Sequence, residues 1–132
     1  MRRRGWFLRF GSDSRGATAV ETALTLPPFV LLLFGVINTS QMAGSLSGMH
    51  YAVEEAARCF AINKAVCAST STTQTYAASK YVGPNPAPTF AVTTAGCGHT
   101  VTATSTFRLE LAVSHIDVPL SATACFPGVE TP

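Results

Sequence analysis

Apolar positions fall into three regimes along the chain. From Ala17 to Ile37 they run almost without a break, and the stretch from Phe29 to Ile37 has no polar side chain. That run of twenty-one residues, at about 1.5 Å per helical residue, spans roughly 30 Å, the thickness of a bilayer's hydrocarbon core. Next, Met42, Leu46, Met49, Val53, Ala56 and Phe60 recur at steps of four and three, which is the stripe of a half-buried helix. The spacing predicts that the first helix continues to about Phe60. Glu54 and Arg58 stand four apart in the acid-first order that favours an ion pair. Gly44, Gly48 and the serines between them lower helix propensity, so a flexible junction is expected there. Ala61 to Thr75 is rich in Ser and Thr and reads as a loop. A short helix is expected over Thr73 to Val82, closed by Gly83 and Pro84.

Beyond the extended linker Pro84-Asn85-Pro86-Ala87-Pro88 the period changes to two. Phe90 and Val92 form one alternating set; Val101, Ala103, Ser105, Phe107 and Leu109 a second; Val118, Leu120, Ala122 and Ala124 a third. Alternation with many threonines predicts strands. The expected fold class is therefore α+β. A long N-terminal helix, transmembrane and then continuing into the head, packs with a short helix and a small three-stranded antiparallel sheet. Its parts are a basic leader (1–16), a transmembrane helix (17–37) and an extracytoplasmic head (38–132), with the helix extension to about 60 and the sheet at about 89–126. There are no internal repeats.

Composition and charge then sharpen the picture. Among 132 residues 47% are hydrophobic and only 12% charged, sparse beside the roughly 25% of a soluble domain. Arg2, Arg3, Arg4, Arg9 and Arg15 against Asp13 give the first sixteen residues a charge of +4, while four bases and six acids leave the remainder at −2, which accounts for the formal +2. Basic residues ahead of the apolar run place the N-terminus in the cytoplasm by the positive-inside bias. The basicity is confined to the leader, so nucleic acid is not an expected partner. A buried core helix is a poor alternative, because a domain this small cannot surround so apolar a segment. A cleavable secretory signal fits less well: the apolar stretch starts late, and Asn38 to Ala43 offers no good small-x-small site. The pair of arginines before Gly5-Trp6-Phe7-Leu8 resembles a twin-arginine signal only faintly, with the apolar run too far downstream.

The most informative residue is Glu21. A carboxylate in an apolar membrane helix costs roughly 2.5–3.5 kcal/mol on insertion scales, so such groups have partners and a purpose. The surrounding run Arg15-Gly16-Ala17-Thr18-Ala19-Val20-Glu21-Thr22-Ala23-Leu24-Thr25-Leu26-Pro27, followed by Leu31-Leu32-Leu33-Phe34-Gly35, resembles the type IV prepilin processing site. More narrowly, it is similar to the TadE-like family of minor pseudopilins in tight-adherence (Flp-type) pilus systems. The resemblance is strong over the first forty residues and architectural beyond them. It implies cleavage between Gly16 and Ala17 by a membrane aspartic prepilin peptidase working from the cytoplasmic side. It further implies partnership with other pilin or pseudopilin subunits and the pilus assembly machinery. Cleavage would give Ala17 a free ammonium one helical turn from Glu21 and on the same face. Glu21 could meet its own chain's ammonium or a neighbour's, and the second pairing fixes axial register. The bland alternative makes Gly16 a loop residue and Glu21 a group snorkelling to the membrane surface. Thr22 departs from the family, where an aromatic is expected.

Pro27 and Pro28 cannot donate to the carbonyls of Ala23 and Leu24. They predict a kink or short unwound stretch, tolerable where neighbouring helices or Thr22 and Thr25 re-satisfy those carbonyls. Cys59, Cys67, Cys97 and Cys125 all lie on the side placed outside the cytoplasm, where an even count favours disulfides. The favoured pairing is Cys59–Cys67, closing the end of the helix, with Cys97–Cys125 tying the outer strands. Zinc would need the fragment Cys97-Gly98-His99, but no Cys-x-x-Cys accompanies it. His115 and Asp117 share a strand face, a thin hint of catalysis without a nucleophile motif or phosphate loop. No enzyme activity, catalytic residue, cofactor, metal or small-molecule substrate is expected. The Asn38-Thr39-Ser40 sequon carries little weight beside a membrane. The functional expectation is a processed pseudopilin in the cytoplasmic membrane; the alternative is an uncleaved, single-pass tethered domain that binds an envelope partner, and a weaker third is a secreted enzyme or inhibitor.

Overall fold

The computed structural model describes residues 14–84, 87–111 and 114–128. The first thirteen residues of the leader, and Asn85 and Pro86 of the linker, lie outside these. The elements are α1 (Ser14–Ile62), α2 (Thr70–Lys80), β1 (Thr89–Ala95), β2 (Gly98–Glu110) and β3 (His115–Phe126). The chain is α+β, with a long N-terminal helix, a short helix and one antiparallel sheet in the order β1-β2-β3. It divides into two compact units, Met1–Ile37 and Asn38–Pro132.

In the second unit the core forms where the helical stripe meets the inward-facing side of the sheet. Met49, Val53, Ala56 and Ala57 of α1 cluster with Ala77 of α2, Val101, Ala103 and Phe107 of β2, and Leu120 and Ala122 of β3. The register explains why one sheet face is apolar. Val92 opposes Val101 and Phe90 opposes Ala103 across β1 and β2; Ala103 opposes Ala122 and Phe107 opposes Val118 across β2 and β3. With a side-chain period of two, these partners all point to the same side. The outer face carries hydroxyls instead, with Thr89 and Thr104 joined at 2.9 Å and Thr102 and Thr123 at 3.2 Å between facing strands. Each large core side chain contributes on the order of 1.5–3 kcal/mol by leaving water.

Several local features differ from the sequence expectation. Helix α1 runs on to Ile62, where its end is closed by the Asn63 amide donating to the Cys59 carbonyl (2.8 Å) and the Lys64 ammonium donating to that of Phe60 (2.6 Å). The next helix begins at Thr70, within the expected loop, and stops at Lys80 rather than Val82. Its start is set by a capping box: the Ser69 hydroxyl accepts from the Thr72 amide while the Thr72 hydroxyl accepts from the Ser69 amide. Glu54 and Arg58 form no ion pair; among the described residues the ion pair is Arg108–Asp117, at 3.3 Å and exposed.

Of the two glycines at the junction, Gly48 is closely packed. A Cβ built on this residue would lie 2.5 Å from the Val82 carbonyl oxygen and 3.3 Å from the Tyr81 ring. The glycine lets the chain leaving α2 cross closely over α1. Beside it the Tyr81 hydroxyl donates to the Pro84 carbonyl (2.9 Å) and lies 2.9 Å from the buried Ser45 hydroxyl. This network ties Pro84, at the start of the linker, to the helix.

Candidate functional site

The candidate site is the N-terminal part of α1, in the first unit. From Gly16 to Phe29 every residue is exposed. Large apolar side chains stand out all round, including Val20 at 60%, Leu24 at 72% and Phe29 at 61% exposure. Helix α1 is long and apolar enough to cross a membrane, and its most apolar window is wholly unburied within the chain. A helix apolar on every side needs lipid or other helices around it. The segment thus fits a single-pass membrane protein.

Gly16 and Ala17 lie in the first turn of α1, and space is open around Gly16. Glu21 follows one turn later, exposed, as the single formal charge between Ala17 and Ile37. The Thr22 hydroxyl donates to the Thr18 carbonyl (2.9 Å), and that of Thr25 donates to the Glu21 carbonyl (2.9 Å). This overturns one expectation. The threonines do not serve the carbonyls of Ala23 and Leu24, because a helical hydroxyl reaches back three or four residues and never forward. Nor is there an unwound stretch, since α1 is helical through Pro27 and Pro28. Thr18, Ala19, Thr22, Ala23, Leu26 and Pro27 line a shallow groove of about 520 Å³. The groove exists because four of its six residues are Thr or Ala and bring the backbone near the surface.

Residues 16–58 match the family described as TadE-like protein. The match covers the membrane segment and most of the helical stripe, and it suggests a protein associated with a Tad pilus. Neither the curated proteins nor the solved structures contain a match to this chain. The TadE-like segment therefore carries the comparison, while the sheet lies outside it.

The remaining candidate residues are placed as follows. Cys59 bonds to Cys67 and Cys97 to Cys125. The first bond is buried beside Phe60; both cysteines of the second are exposed, Cys97 in the β1–β2 turn. Gly98, the first residue of β2, takes a φ of +123°, and a Cβ there would lie 2.5 Å from the Phe126 carbonyl oxygen. Cys97 and His99 do not converge as metal ligands, since the cysteine is bonded to Cys125 while His99 packs edge-on to the Phe60 ring with centroids 4.5 Å apart. Among the described residues no three potential ligands gather. His115 and Asp117 are both exposed, and Asp117 is held by Arg108. Sequence inspection missed the Ser45–Tyr81–Pro84 network. A polar Ser45 on the helical stripe was its only trace.

Proposed function

We propose that this chain is a pseudopilin, a minor subunit in the biogenesis of a tight-adherence (Flp-type) pilus, matured by a prepilin peptidase that cuts between Gly16 and Ala17. The observation that carries the proposal is Glu21, an exposed carboxylate in an otherwise uncharged membrane-length helix, four residues past the cut. Maturation removes the arginines of the leader and supplies the ammonium that this carboxylate needs. The leader stays cytoplasmic, residues 17–37 span the cytoplasmic membrane, and the head (38–132) projects outside. Partners are the peptidase, other pilin or pseudopilin subunits and the assembly machinery.

The position of the cut within a helical turn gives Gly16 a physical task. A peptidase works on extended backbone, so the first turn of α1 must open. Glycine is about 1 kcal/mol less favourable than alanine in a helix, which eases the opening. It also leaves the carbonyl unshielded by a side chain.

Intact mass and N-terminal sequencing of the membrane-extracted protein test the proposal. A chain beginning at Ala17 is expected, and Gly16→Ala should slow maturation strongly. A chain beginning at Met1 would instead identify the uncleaved tether, and one beginning beyond Ser40 a secreted product.

A further inference from the structure

The proline pair creates a polar defect in the middle of the apolar span. Without amide hydrogens at 27 and 28, the carbonyls of Ala23 and Leu24 lose their ordinary helical donors. Side chains cannot replace them from within the helix. A substitute hydroxyl would have to sit three or four residues ahead, and those positions are Leu26, Pro27 and Pro28. Lipid tails offer no donor either, and backbone carbonyls without partners are costly in hydrocarbon. Ala23 and Pro27 line the groove described above, whose small side chains allow another chain to approach.

We propose that the carbonyls of Ala23 and Leu24 form an intramembrane acceptor site for the Ala17 ammonium of a second copy of the mature chain. The inference rests on the cleavage proposed above, which creates that ammonium. Charge complementarity selects the occupant. Carbonyl oxygens attract a cation, and the span from Ala17 to Ile37 contains no Lys, Arg, Asn, Gln, Trp or His. Of its three side-chain hydroxyls, at 18, 22 and 25, the last two are already donating to their own backbone. The ammonium has three N–H bonds. One goes to Glu21 of its own chain, and two remain for the two carbonyls of the neighbour. The pairing staggers neighbouring helices by six or seven residues, about 10 Å along the axis. Pro27 and Pro28 thereby become a device for register, complementary to Glu21.

The test uses the full chain matured in membranes, with two differently tagged copies carrying Ala19→Cys and Leu26→Cys. The stagger brings these positions level, so the mixed 19–26 disulfide should form in preference to 19–19 or 26–26. Pro27→Ala with Pro28→Ala returns an amide donor to each carbonyl. It should lower the mixed cross-link about tenfold, the loss of two interhelical hydrogen bonds in a membrane. Pro28→Ala alone, which frees only Leu24 from the site, should give an intermediate loss. Dominant same-level cross-links, or a mixed cross-link indifferent to both prolines, in protein whose mass shows an Ala17 start would overturn the acceptor site and leave the cleavage intact. A Met1 start would remove the cleavage and this inference with it.

Discussion

Two glycines on one helix, Gly44 and Gly48, should respond to alanine in opposite directions. Intrinsic propensity treats them alike, since alanine is favoured over glycine by about 1 kcal/mol inside a helix. Their surroundings differ. Nothing lies within 4 Å of a Cβ at Gly44, whereas one at Gly48 would sit 2.5 Å from the Val82 carbonyl oxygen and 3.2 Å from its carbon. Those are backbone atoms and cannot rotate aside, so the chain leaving α2 must lift. Lifting it strains the contact of Tyr81 with Ser45 and Pro84. Overpacking of this kind costs about 1–3 kcal/mol, and the lost hydrogen bonding adds about 1 kcal/mol. Net of the propensity gain, Gly48→Ala should destabilise the head by about 1–3 kcal/mol. At about 4–8 °C per kcal/mol for a domain of this size, its Tm falls by roughly 5 °C or more, while that of Gly44→Ala rises by a few degrees. Thermal unfolding of the two variants in one detergent, with disulfides intact, makes the comparison. An equal rise in both would refute the close crossing over Gly48.

Four further outcomes follow. Phe107→Ala removes a side chain only 4% exposed in the core and should cost about 3–5 kcal/mol in denaturant unfolding. Arg108→Ala breaks an ion pair whose side chains are 58% and 49% exposed, and should move stability by less than about 0.5 kcal/mol. Brief treatment with a dithiol followed by alkylation should label Cys97 and Cys125 well before Cys59 and Cys67, because only the former pair is exposed; simultaneous labelling on peptide mapping would contradict that difference. Glu21→Ala should leave maturation intact and reduce pilus number, and wild-type piliation would remove the assembly role of this charge.

The head was legible where its physics is periodic. The 4-3-4 stripe from Met42 to Phe60 coincides with the buried face of α1, and the alternation at Val101, Ala103 and Phe107 marks the inner face of β2. What escaped was set by single contacts. The start of α2 depends on Ser69 and Thr72, with threonine in the place usually taken by Glu or Gln in a capping box. The role of Gly48 depends on Val82, thirty-four residues away, and no local pattern encodes that distance. In sequence a glycine beside a serine on a helix announces weakness; only the crossing chain shows it as a fitted contact.

The membrane segment teaches the opposite lesson. Its acid and its prolines were visible at once, but the direction of helical hydrogen bonds decides what they mean. Threonines upstream of a proline pair look like repair for the carbonyls that the prolines expose. They cannot be, because their hydroxyls reach toward the N-terminus, and Thr22 and Thr25 do so here. The two carbonyls therefore gain no side-chain donor from their own helix, which also carries an exposed carboxylate at Glu21. One carboxylate and two backbone carbonyls are three acceptor groups, and one ammonium has a donor for each. A single cut after Gly16 would create a group able to give each of them one hydrogen bond, partly within the chain and partly across to its neighbour. In the proposed arrangement the cut supplies the ammonium, the acid holds it within the chain and the prolines fix its register on the neighbour, so blocking the cut or restoring the amides at 27 and 28 should disturb the same axial register.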